Sequence, residues 1–207
     1  MSRPSHATIA RVNRYDPATA LIIVDVQNDF ADPSGSLAVG GGADIIPFIN
    51  AEIAAALAAG GSVFYTQDWH PESTPHFEKD GGIWPVHCVA GTWGAELHPQ
   101  LRVAGPVVRK GRHGEDGYSG FTMRDPESGE TTPTELGELL DAAGVEKLVI
   151  AGLATDYCVL ATALDARTRE YPTTVLASGI RAVDLQPGDG ERALVEMRLA
   201  GVFIDEG

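Results

Sequence analysis

The chain of 207 residues sets 15 Lys and Arg against 29 Asp and Glu, and a net charge of −14 at pH 7 argues against nucleic acid or an anionic membrane as a partner. At 43% hydrophobic and 21% charged, the composition is that of a globular protein with material for a sizeable core, and two cysteines do not make a disulfide framework. No apolar run approaches the ~20 residues of a membrane span. The stretch from Met1 to Tyr15 has no apolar core of signal-peptide length, so a soluble protein in a reducing cytoplasm is expected.

Residues 1–16 read as a loosely ordered arm, and 17–207 as a single domain. Ala20 to Val26 is a β-branched, nearly continuous apolar run, the pattern of a strand buried on both faces, with Asp25 near its C-terminal end. A Gly- and Pro-containing loop follows from Asp32 to Gly42. Asp44 is placed to cap a helix through Ile45, Ile49, Ile53 and Leu57, which Gly60 and Gly61 end. Ser62 to Gln67 is a second strand, and the β-helix-β order predicts a right-handed parallel crossover. From Pro71 to Pro99 the chain is rich in Gly, Pro, Trp and His without a sustained period, so a long irregular segment is expected, anchored by something other than regular structure.

Pro106 to Lys110 reads as a short strand, followed by a Gly-rich loop and a helix that begins at Thr134 or Glu135 and stops at Gly144. The fully apolar run Leu148 to Ala151 predicts a buried strand, Gly152 a tight turn, and residues from about Asp156 to Arg169 a helix. Thr173 to Ala177, Gly190 to Leu199 and Val202 to Ile204 complete the pattern as strand, helix and strand. This alternation predicts an α/β three-layer sandwich, with a central, mostly parallel sheet flanked by helices and an irregular metal-binding loop segment.

Asp25, Lys110 and Cys158 each fall at or just beyond the carboxyl end of a predicted parallel strand, the edge where α/β sheets bind ligands. Cys158 also falls in the first turn of a helix, where unpaired N–H groups and the helix dipole favour a thiolate. A thiol with a carboxylate base and a lysine beside it is an activated nucleophile. Asp68, His70, His76 and His87 put one carboxylate and three imidazoles on a single segment. Such nitrogen and oxygen donors suit one divalent metal ion, Zn, Fe(II) or Mn(II). Cys88 is expected to be structural, and His6, His98 and His113 are expected on the surface.

The motifs Ala20-Leu-Ile-Ile-Val-Asp-Val-Gln-Asn-Asp-Phe30, Asp68-Trp-His-Pro71, Trp84-Pro-Val-His-Cys88, Lys110-Gly111, Tyr118-Ser-Gly-Phe121 and Gly152-Leu-Ala-Thr-Asp-Tyr-Cys158 together resemble the nicotinamidase/pyrazinamidase branch of the isochorismatase-like cysteine hydrolases. The resemblance implies a Cys158, Asp25 and Lys110 triad and a divalent metal on Asp68, His70, His76 and His87. It implies further that nicotinamide, and pyrazinamide with it, is converted to the free acid and ammonia through a thioester. The oxyanion is then received by the N–H groups of Ala154 and Cys158, next to a cis Leu153–Ala154 peptide. Phe30, Trp84 and Tyr118 match positions that wall the pocket of a small heteroaromatic amide. Tyr157 stands where some close relatives carry His, which bears on the choice among amides. The alternative is another branch acting on a carbamoyl or other small amide. No sequence feature decides the oligomeric state, and a homo-oligomer is left open.

Overall fold

The computed structural model describes residues 14–207. Six strands, β1 (Thr19–Val24), β2 (Ser62–Asp68), β3 (Val107–Lys110), β6 (Lys147–Leu153), β7 (Thr173–Arg181) and β8 (Phe203–Asp205), form one parallel sheet in the order β3-β2-β1-β6-β7-β8. The chain starts in the middle, builds one half outward and then crosses to build the other. The gap between β1 and β6 is therefore a topological switch point, where the carboxyl ends of parallel strands leave a crevice.

All six residues of β1 are buried, as a strand covered on both faces must be. Leu21 and Ile23 point to one side, where Ile46, Ile49, Ile53 and Ala56 of helix α2 (Ile46–Ala58) cover them. Ala20, Ile22 and Val24 point to the other side and pack beneath α3 (Leu136–Ala142), α4 (Leu160–Thr168) and α5 (Asp189–Leu199). The layers are those expected. A short helix α1 (Asn28–Ala31) follows β1.

Several boundaries differ from the expectations. Asp44 does not cap α2, because a 3-10 turn over Ala43–Ile45 precedes the helix and carries that residue inside it. The helix that bears Cys158 opens as a π turn, Thr155–Val159, before becoming α4. Strand β7 runs on past Ala177 to Arg181 through a register irregularity opposite Ile150 to Gly152. Two short strands, β4 (Thr122–Arg124) and β5 (Thr131–Pro133), form an antiparallel hairpin that no sequence pattern announces. Of the expected arm, residues 1–13, with His6, lie outside the described residues. Its last part is held in place: Arg14 pairs with Glu52 and Asp205, the Tyr15 hydroxyl donates to Glu52 at 2.7 Å, and Asp16 pairs with Lys147 at 2.6 Å. No helix of the described residues is long and apolar enough to cross a membrane.

Gly152 sits opposite Val24 with φ +126°, and a Cβ there would stand 2.1 Å from the Val24 carbonyl oxygen. Only a residue without a Cβ lets β6 lie this close to β1. Gly152→Ala is therefore expected to cost on the order of 3 kcal/mol, through backbone strain and the separation of the two central strands. Urea denaturation measures that loss.

Candidate active site

Parallel register brings the strand-end residues together. Asp68 on β2 is the direct partner of Lys110 on β3, and Val24 pairs with Gly152, so Asp25 leaves β1 at the level where β6 runs into the turn before Cys158. Asp25 takes a left-handed backbone conformation, φ +47°, which an aspartate tolerates better than most residues. Its Oδ1 accepts a hydrogen bond of 2.7 Å from the Thr66 hydroxyl.

Lys110 is the centre of the cluster, with 1% of its surface exposed. Its Nζ lies 2.9 Å from Asp25 Oδ2 and 3.5 Å from Cys158 Sγ, donates to the Gly117 carbonyl at 3.3 Å, and makes a short contact with Asp68 Oδ1. Asp25, Asp68 and Cys158 place one donor atom each within 4.8 Å of one another. Burial alone would depress the proton affinity of Lys110, but the charges of Asp25 and Asp68 outweigh it and hold the ammonium form. The two carboxylates separate. Burial raises the Asp25 carboxyl against the opposing pull of Lys110, whereas at Asp68 the charge of the lysine overcomes burial and keeps the carboxylate ionised. Two carboxylates pushed apart in this way are suited to different tasks.

The pull of the helix terminus toward a thiolate at Cys158 is opposed by its surroundings. Burial pushes its thiol up, Lys110 opposes this, and the charges of Asp25 and Asp68 add to the rise. A helix terminus acts weakly against two buried carboxylates at such short range.

Beside this cluster, ring nitrogens of His70, His76 and His87, all buried, lie within 4.8 Å of one another. Asp68 bridges the two groups: Oδ1 faces Lys110, and Oδ2 lies 3.8 Å from His70 Nε2. His87 donates from Nδ1 to the Pro85 carbonyl at 2.7 Å, leaving the Nε2 lone pair free of a proton, and burial pulls its imidazole down to about 4. His70 has both ring nitrogens buried without a hydrogen-bond partner, a cost of about 1–3 kcal/mol for each unsatisfied group unless a cation takes the lone pair. These residues fit a divalent metal ion. Gly111, at φ +79°, makes room for the His70 ring, since a Cβ would stand 2.7 Å from His70 Nδ1.

A cleft of about 380 Å³, including its part open to solvent, reaches Cys158, Ala154, Asp68, His76 and His87. Phe30, Trp84, Tyr118 and Tyr157 line it. Tyr157 meets Trp84 edge-on at 4.9 Å and Tyr118 at 5.3 Å, and the Trp84 indole N–H donates to the Tyr118 hydroxyl at 3.0 Å. The Leu153–Ala154 peptide is cis.

The structure also supplies residues that sequence reading missed. Gln27, fully buried, clamps the Asp68 backbone by donating to its carbonyl and accepting from its N–H, both at 2.8 Å. Asp116 Oδ1 lies 2.8 Å from His76 Nδ1. Gln27 stood inside the Ala20–Phe30 motif, two residues after Asp25, but was given no role there. Asp116 lay in a Gly-rich loop and gave none. His98 is not on the surface: it is 6% exposed and its N–H donates to the Val26 carbonyl. His113 is exposed as expected. Cys88 is free and buried, and its N–H donates to Asp29 at 2.7 Å.

Replacing Lys110 by Met leaves Asp25 and Asp68 facing one another without their cation. A loss of about 3–5 kcal/mol in urea denaturation is expected. With that ammonium gone the Cys158 thiol rises further, so iodoacetamide alkylation of the metal-free variant should move to higher pH than in wild type. In wild type the alkylation rate should itself keep climbing through the ordinary thiol range and not level off near neutrality.

Comparison with known proteins agrees with this geometry. The isochorismatase domain model matches residues 19–205. A nicotinamidase of Escherichia coli (strain K12) is 36% identical over 206 residues, covering 91% of this chain and 94% of the relative. A nicotinamidase/pyrazinamidase of Mycobacterium tuberculosis is 41% identical over 194 residues, covering 89% and 97%. The crystal structure of a pyrazinamidase of Pyrococcus horikoshii in complex with zinc superposes with a TM-score of 0.81 at 38% identity, covering 92% of this chain and all of that one. The sheet order, the crevice at its switch point and these matches along nearly the whole chain make it a member of the isochorismatase domain family.

Proposed function

We propose that this protein hydrolyses nicotinamide, and pyrazinamide as a close analogue, to the free acid and ammonia through a thioester on Cys158. The observation that carries the reading is the buried cluster of Asp25, Lys110 and Cys158 opening onto an aromatic cleft beside three imidazoles, in a chain 36–41% identical to nicotinamidases.

Burial and two nearby carboxylates raise the Cys158 thiol, so the nucleophile is best made on demand. Asp25, whose proton affinity burial raises, takes the thiol proton as the sulfur attacks the amide carbonyl carbon. Lys110 lies close enough to Asp25 and Cys158 to balance the negative charge as it passes between carboxylate and sulfur. Ala154 and Cys158 both border the cleft, and their backbone N–H groups are the donors for the tetrahedral oxyanion. Asp25 then gives its proton to the departing nitrogen, ammonia leaves, and the acyl group remains on Cys158. Water, deprotonated by the same carboxylate, attacks the thioester, and the acid departs with Cys158 protonated again.

Phe30, Trp84, Tyr118 and Tyr157 offer flat faces and edges to a neutral heteroaromatic ring. Asp68, His70, His76 and His87 would hold a divalent ion, which when bound supplies a positive anchor for the lone pair of a ring nitrogen or its water and so orients the substrate.

Purified protein supplied with Zn, Fe(II) or Mn(II) is expected to release ammonia from nicotinamide. Cys158→Ala should lower kcat by at least ~10³-fold. Chelation should reduce activity reversibly, with recovery on returning the metal. Metal-loaded wild type that releases no ammonia from nicotinamide or pyrazinamide contradicts the proposal.

A further inference from the structure

Asp156 stands two residues before Cys158, inside the π turn, yet its carboxylate faces neither the thiol cluster nor the imidazoles. It reaches instead to the loop between β7 and α5: Oδ1 accepts from the Val183 N–H at 2.9 Å and Oδ2 from the Asp184 N–H at 2.8 Å. Both carboxylate oxygens are thus used on consecutive backbone donors, and hydrogen bonds to an ionised acceptor are the stronger kind. Asp184 in turn accepts from the Gly190 N–H at 2.8 Å, in the first turn of α5, and holds a left-handed backbone at φ +53°.

Val183, the first residue gripped, borders the cleft and packs against the core on the α2 side of the sheet. Tyr157, directly after Asp156, borders the same cleft. One side chain therefore joins the turn that presents the nucleophile to a loop that supplies another part of the wall.

We infer that Asp156 is a specificity-determining positioning residue, whose two hydrogen bonds latch the Val183 loop to the Cys158 turn and so set the width of the cleft for a flat, neutral ring. This rests on the amidase reading above. The latch acts on binding and not on bond making, because Asp25, Lys110 and Cys158 are held by contacts of their own. Ring substrates should gain from it in the ground state and the transition state alike, which places its effect in KM. A small acyclic amide, which does not span the cleft, should gain little.

The test compares wild type, Asp156→Ala and Asp156→Asn as metal-loaded enzymes. Asparagine keeps the shape and one acceptor oxygen but replaces the other by a donor, so it should fall between the other two. For Asp156→Ala, KM for nicotinamide should rise roughly 10-fold with kcat within about threefold, the scale expected when a contact in an apolar pocket is lost. Amide hydrogen exchange at Val183 and Asp184 should accelerate. Iodoacetamide alkylation of Cys158 should stay within about twofold of wild type, a result that a general loosening of the site would not give.

Should Asp156→Ala fail to fold, the same ordering is read between wild type and Asp156→Asn. Unchanged exchange at the two amides overturns the latch, as does faster exchange with KM unchanged, or a fall in kcat without a rise in KM. Wild type that turns over no ring amide overturns the amidase reading and the specificity role with it, while the exchange data still report whether the two hydrogen bonds hold the loop.

Discussion

A lysine ammonium with almost no access to water is the constraint on which this site depends. An isolated buried charge is expensive, and Lys110 is tolerated because two carboxylates, a thiol and a backbone carbonyl surround it. The dependence runs both ways. Without the lysine, Asp25 and Asp68 would confront each other as buried like charges, and one of them would take up a proton and lose its function. With it, Asp68 remains ionised toward the imidazoles, while burial still raises the proton affinity of Asp25 against the pull of the ammonium, as a base for a thiol requires. One cation thereby joins the nucleophilic cluster to the group of metal-binding character.

The sheet makes this arrangement possible at modest structural cost. Parallel strands point their carboxyl ends the same way, so residues 25, 68 and 110 converge on one edge although they are far apart in sequence. The crossing of the chain at β1 and β6 opens a crevice there, and the turn after β6 brings Cys158 into it. Closeness at that seam depends on Gly152, which has no side chain to hold the two strands apart. The long segment after β2, nearly devoid of regular structure, supplies the imidazoles and Trp84. It is held by Gln27, whose amide also donates to the Ala95 carbonyl at 2.8 Å, and by the pairing of His76 with Asp116.

Features that depend on local pattern were legible in the sequence. The apolar runs of β1 and β6 announce buried strands, and residues at their ends can be picked out because a carboxylate or a thiol is out of place there. The grouping of Asp68, His70, His76 and His87 on one irregular stretch is equally plain. Features set by distance in space were not. The hairpin β4–β5 has three residues in each strand, half-buried at most, and so no alternation to detect. Thr66 and Gln27 owe their importance to partners across neighbouring strands. The sequence suggested a thiolate at Cys158 from a helix terminus, whereas the outcome is decided by where Asp25, Asp68 and Lys110 sit. His98 looked solitary and is buried, with its backbone N–H donating to the Val26 carbonyl at 2.9 Å.

The proposed chemistry centres on Cys158 as a covalent nucleophile served by Asp25. The most direct measurement is acid quenching of the metal-loaded enzyme during turnover of nicotinamide, followed by mass analysis of the intact chain and of the peptide containing Cys158. A nicotinoyl group on Cys158, absent from the Cys158→Ala protein and cleared by hydroxylamine, is the result predicted. Steady ammonia release with no acyl group on the chain, or release that survives loss of the thiol, would contradict it.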